Sequence, residues 1–270
     1  MINSNLDYSS FLAVAAVSVM VMLGAYTYAQ KQQRAGIVDA CWALLIAAGS
    51  LVFAVVHEGD FLLRTFIGIG STLWFLRLGW HLLIRYQHEE QEDSRYANMR
   101  QALGDKAAIG FLLFFLFQAG LVMLFLVPMW AITQLPLSQH SVVILAAALM
   151  LVAFWGEHIA DKQLSQFKSK PENKGKVMDQ GLWKYSRHPN YFFEWLHWFA
   201  YPLIGLASGQ YWLWFYPLLM FAFLYFISGI PFSEKQARKS KGEAYRRYQE
   251  RTSVFILWPP NTWPNKTSKS

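Results

Sequence analysis

Six side chains suited to polar chemistry crowd the stretch GLWKYSRHPNYFFEW, Gly181 to Trp195: Lys184, Arg187, His188, Asn190, Tyr191 and Glu194. They stand at the start of a strongly apolar run. The arginine fork can meet phosphate oxygens in pairs, and Lys184 adds a point charge. The Asn190 carboxamide both donates and accepts hydrogen bonds. Pro189 predicts the start of a helix, so Asn190 and Tyr191 fall in a first turn whose free N–H groups favour anions. Glu194, one turn beyond Asn190, shares its side. Ionisable groups at bilayer depth are costly and tend to line a cavity or substrate path. A belt of Arg, His and Tyr at the mouth of a span needs neither Asn190 nor Glu194.

Three further groups have spacings that could serve the same chemistry. Asp39 and Trp42 lie three residues apart at the start of a second apolar run, hence on one helical face. Asp39 is read either as a charge complementing the helix dipole or as a buried proton donor or orienting acid. Arg77, His81 and Arg85 recur every four residues in WFLRLGWHLLIRY and suit an anionic ligand, with Arg95 and Tyr96 following. Glu157, Asp161 and Lys168 share a face in GEHIADKQLSQFK, where ordinary surface pairing competes with a ligand role. The seven histidines form no HxxxH pair and no acid-rich set, so no metal site is expected. There is no GxSxG elbow and no P-loop.

The elements that must carry these groups follow from composition. Of 270 residues, 54% are hydrophobic and 15% charged. The charged share is well below the roughly one quarter of a soluble domain. Runs of about twenty apolar residues cross a bilayer as helix, and about seven occur: 10–29, 36–56, 61–84, 109–133, 140–160, 190–207 and 210–230. The net charge of +7 falls mostly in alternate loops, 30–35, 85–108, 161–189 and the tail from Glu234. That alternation is a topology signal rather than a nucleic-acid face. It predicts an all-α polytopic bundle with the N-terminus out and the C-terminus in. The first run lacks a basic n-region and is expected to remain as a span. Cys41, the single cysteine, is expected to be a small buried hydrophobe. The basic segment 234–251, with Tyr245 and Tyr248, reads equally as a helix on anionic lipid or as a ligand-facing element.

GLWKYSRHPNYFFEW, followed by SGIPFSEKQ and YRRYQERTSVFILWPP, resembles the C-terminal domain of steroid 5α-reductases and, more closely, the bacterial membrane branch DUF1295. VDACW and WFLRLGWHLLIRY resemble that branch too, so the likeness covers most of the chain. The Arg-His-Pro-Asn-Tyr core is also shared by sterol reductases and by isoprenylcysteine and phospholipid methyltransferases. It therefore marks the superfamily more strongly than the reaction. The resemblance implies one integral membrane domain over 1–270: a three-span part at 1–108, a reductase-like part at 109–258 and a short tail at 259–270.

The resemblance further implies NADPH held from the cytoplasm. Asp161, Lys168, Trp183, Tyr185, Arg187, His188, Asn190, Tyr191 and Glu194 match the cofactor-lining pieces, and Arg77, Arg85, Arg95 and Tyr96 match another wall. The eukaryotic reductases carry an early Gln-Glu pair and a Tyr on the next span. Here Asp39 with Trp42, and Trp74 near the expected Tyr, take those catalytic places, while His57-Glu58 falls at the far membrane side. These departures disfavour a 3-oxo-steroid and leave an apolar enone or related lipid arriving from the bilayer. The expected activity is NADPH-dependent reduction at a bacterial inner membrane. A methyltransferase using S-adenosylmethionine is the alternative, and a scaffold or transporter would leave 181–195 unexplained.

Overall fold

The computed structural model describes residues 6–89, 91–136 and 139–261; most of the tail expected at 259–270 lies outside them. Among the described residues there are helices and turns but no strand, as lipid requires of a chain that must satisfy its own backbone. The helices are α1 (Tyr8–Gln32), α2 (Ile37–Val56), α3 (Phe61–Thr65), α4 (Thr72–His88), α5 (Ser94–Leu103), α6 (Ala107–Ile132), α7 (His140–Lys168), α8 (Pro189–His197), α9 (Ala200–Ala207), α10 (Phe215–Ala222) and α11 (Ile230–Arg251). A π-helical turn, Phe66–Ser71, joins α3 to α4. Six helical runs among the described residues are long and apolar enough to cross a membrane, so the chain is an integral membrane protein.

The run expected as one span at 190–207 is instead two short helices, α8 and α9. Pro202 has no N–H for the carbonyl of Trp198, four residues back, and its ring clashes with that carbonyl. Proline is tolerated in a first turn, so a new helix starts at Ala200. Trp198 and Phe199 close the old one with tightened bonds to Trp195 and Leu196. The region expected as a loop at 85–108 carries α5, capped by Asp93, whose side chain accepts from the Arg95 N–H.

The chain divides into two compact units. The first comprises Met1–Ile144 and Ile204–Gln210. Its centre is α2, apolar around most of its surface, packed against α1, α4 and α6. At Gly79 of α4 a Cβ would meet the Leu44 side chain at 2.7 Å, so only glycine lets the two helices approach this closely. The α2 helix also separates two polar clusters by about 30 Å. Asp39 lies in its first turn. Beyond its last turn, buried His57 bonds Thr133 Oγ1 at 2.7 Å and Ser10 Oγ at 2.9 Å.

The second unit comprises Leu145–Leu203 and Tyr211–Ser270. Here α7 and α8 press together where Gly156 faces the Phe193 ring; a Cβ there would overlap the ring. The segment 252–258 runs back along 185–187. Arg187 N–H donates to Ser253 O at 2.8 Å, Trp258 N–H to Tyr185 O at 3.0 Å, and Ser186 Oγ to Phe255 O at 2.8 Å. Phe255 then enters an aromatic cluster with Phe192, Trp195, Phe221 and Tyr225. The opening motif is thus pinned at its N-terminal side by the chain's C-terminal segment.

Candidate functional site

In the second unit, a short 3-10 turn at Gly181–Lys184 leads to His188, whose backbone is non-helical, and Pro189 then starts α8. This exit points Arg187 and His188 at one acid, Glu234, in the early part of α11. Glu234 Oε1 accepts from Arg187 Nε at 2.9 Å, His188 Nε2 at 3.0 Å and the Tyr245 hydroxyl at 2.9 Å. Its other oxygen accepts from Gln249 and, at 3.4 Å, from Arg187 Nη2. A carboxylate offers about four lone-pair sites, so Glu234 is fully used. Arg187 is equally committed, because Nη1 donates to the carbonyls of Gln249 and Thr252 at 3.0 and 2.7 Å. Sequence reading gave Arg187 to a phosphate; the structure gives its donors to Glu234 and the backbone, making it a clamp.

His188 stacks on Tyr191 with ring centroids 5.4 Å apart. Burial pushes its imidazole below the ordinary histidine value; Glu234 opposes that shift and Arg187 adds to it. The folded chain therefore keeps His188 neutral where an unfolded chain binds a proton. Stability from this group is complete above the ordinary value of 6.5 and is lost as pH falls through it towards the lower folded value. We expect the melting temperature in detergent to fall between about pH 7.5 and about pH 5.5, and to fall less in H188Q. Equal slopes for both proteins would contradict this.

Along the α7–α8 contact, Asn190 Nδ2 donates to Asp161 Oδ1 at 3.2 Å. Glu194 is buried and accepts from Trp198 Nε1 at 3.2 Å; His197, fully buried, lies 3.7 Å from the same carboxylate oxygen. Glu157 is also buried, and Trp183 Nε1 donates to Ala160 O at 3.0 Å. Tyr185 and Lys184 are exposed. Burial first, and then the charge of Lys168 at the end of α7, disfavour the charge of Lys241 in α11. Neither lysine forms an ion pair among the described residues. The second unit thus unites Asp161 with Asn190, and Arg187 with His188 and Tyr191, as separate clusters.

In the first unit, Asp39 accepts on both oxygens, from the Tyr96 hydroxyl at 2.7 Å and from Arg95 Nη2 at 2.8 Å. Arg95 also grips Asp93 at 2.9 and 3.1 Å, and Arg85 stands 3.5 Å from Asp93 and 3.8 Å from Asp39. Burial alone would raise the Asp93 carboxyl, but the hydrogen bonds and charge of Arg95 outweigh it and hold it below its ordinary value. Of the Arg77–His81–Arg85 strip, Arg85 joins this cluster. His81 is exposed, and the Arg77 guanidinium sits 5.3 Å from the Trp74 ring. Trp74 is fully buried. Trp42 is wedged edge-on between Phe75 and Phe125, its indole N–H buried without a hydrogen bond among the described residues.

Sequence reading placed Tyr245 on a lipid- or ligand-facing segment rather than on Glu234, and it missed Glu234 and Gln249 as well as Glu92 and Asp93. Arg100 grips Glu92 at 2.9 Å. Helical spacing could not join Glu234 to Tyr245, because α11 is kinked at Gly242, whose backbone is not helical (φ 52°, ψ −128°). The chain beyond the kink brings Tyr245 back to Glu234, and both are buried.

A family model described as "Protein of unknown function (DUF1295)" matches residues 25–252, most of the chain. No curated protein and no solved structure matches.

Proposed function

The chain belongs to the DUF1295 family, and on that premise we propose that it is an NADPH-dependent membrane reductase. Its substrate would be a hydrophobic, steroid- or lipid-like molecule with an activated double bond. The observation that carries the reading is half-buried Lys241 with the charge of Lys168 beside it, neither lysine having an acidic partner among the described residues. Like charges held together destabilise a fold unless an anion lies between them. A dinucleotide bears phosphates that relieve this repulsion; S-adenosylmethionine bears none, so the pair favours reductase over methyltransferase.

The donor set nearby fits the rest of such a cofactor. Asp161 accepts and Asn190 both donates and accepts, the combination that a ribose hydroxyl or a nicotinamide carboxamide requires. Arg187, His188 and Glu234 fix the segment that presents Asn190 and Tyr191, acting by position rather than by contact with phosphate. NADPH, when bound, supplies the hydride. Within the first unit, Asp39 and the Tyr96 hydroxyl it holds are a pair suited to keeping or relaying a proton. The basic loops favour a C-terminus in the cytoplasm of a bacterial inner membrane, with the cofactor reached from that side.

The test is NADPH affinity of the K168Q/K241Q variant in detergent. Two charge-assisted hydrogen bonds lost at about 1.5 kcal/mol each predict binding weaker by roughly 150-fold. Affinity equal to the parent chain would reject the site.

A further inference from the structure

We propose that the second unit binds an anionic lipid headgroup in a groove at the start of α11, whether or not the reductase reading holds. The groove has a volume of about 500 Å³, and Tyr225, Ile230, Pro231 and Val254 form its apolar lining. Tyr225 belongs to the π-helical segment Phe223–Ile227, the last part of the apolar run before the chain turns basic. The apolar lining therefore continues the membrane-facing run, and the groove ends among Arg187, Glu234, Lys235 and Arg238.

The charges in the groove do not cancel. Glu234 is the one carboxylate there, and it is taken by Arg187, His188, Tyr245 and Gln249. Lys235 and Arg238, three residues apart on one face, are exposed and have no ion pair among the described residues. Beyond the kink at Gly242 the cations are balanced. Arg246 and Arg247 pair with Glu243 and Glu250, and Arg251 pairs with Asp179. Unbalanced positive charge thus lies before that kink, and Lys235 and Arg238 bring it to the end of the apolar lining. A phosphate joined to acyl chains complements both halves; a free phosphate complements only the cations. The groove is assigned to the lipid for that reason.

The experiment uses the full chain in nanodiscs of phosphatidylcholine mixed with phosphatidylglycerol, with retained lipid counted by native mass spectrometry after release into detergent. K235Q/R238Q is expected to retain about tenfold less phosphatidylglycerol than the parent, while R246Q/R247Q, which removes the same charge beyond the Gly242 kink, retains the parental amount. Equal loss in both variants would reduce the effect to general surface charge and overturn the groove. No loss in K235Q/R238Q would also overturn it. Inorganic phosphate is added in a separate arm; displacement of the lipid by millimolar phosphate would show a bare anion site and refute the lipid assignment. Both variants alter exposed side chains, and melting temperatures equal to the parent's check that they fold.

Discussion

Replacing Glu234 with alanine is expected to cost about 3–5 kcal/mol of stability, because a buried ion pair loses one partner and leaves the other uncompensated. The partner is Arg187, largely enclosed and bonded to Glu234 at 2.9 Å. Three more donors, from His188, Tyr245 and Gln249, lose their acceptor at the same time. Arg187 keeps only its two backbone carbonyls, and the pinning of 185–188 against 252–258 weakens with it. A loss of this size is a large fraction of a typical 5–15 kcal/mol. E234Q keeps the shape and an acceptor oxygen but not the charge, so it should fall between parent and alanine. Thermal unfolding in detergent, followed by tryptophan fluorescence, gives the answer: Trp195 packs on Phe255 in the cluster that this clamp secures. A change in E234A of less than about 0.5 kcal/mol, ordinary for a surface substitution, would refute the hub.

Asp39→Ala is expected to act on two levels. It removes the acceptor that ties Tyr96 and Arg95 of α5 to the first turn of α2. Hydrogen bonds to a charged group contribute about 1.5–3 kcal/mol each; Arg95 retains Asp93, so the net loss should lie near the lower end. Y96F removes one of the two bonds and should cost less. The double variant should cost less than the sum of the single ones, because both remove the same contact. On the functional level, D39A should abolish turnover of a reducible substrate and leave NADPH affinity at the parental value. A variant that melts and turns over like the parent would remove Asp39 from both roles.

The spans were legible because hydropathy alone dictates them. The run expected at 36–56 is α2 at Ile37–Val56, and the run at 109–133 is α6 at Ala107–Ile132. Pro189 was readable as a helix start because its missing N–H suits only that place. The break at Trp198–Phe199 was equally inscribed in Pro202, but the composition of 190–207 masks it, since both short helices are apolar. Hydropathy also stops short of where helices end: α7 continues through polar sequence to Lys168 and α4 to His88. In the sites, the residue types were legible and the partnerships were not. Arg187 and Glu234 are 47 positions apart and Asp39 and Tyr96 are 57 apart; one-dimensional spacing has no period that joins them. An arginine reads the same whether its partner is a phosphate or a carboxylate, and only the fold decides between them.

Equilibrium binding of NADPH, NADH and S-adenosylmethionine to the purified chain in detergent bears most directly on the central claim. Saturable binding of NADPH is expected, with none of S-adenosylmethionine. Saturable S-adenosylmethionine binding with no uptake of NADPH would contradict the reductase and assign the chain to methyl transfer instead.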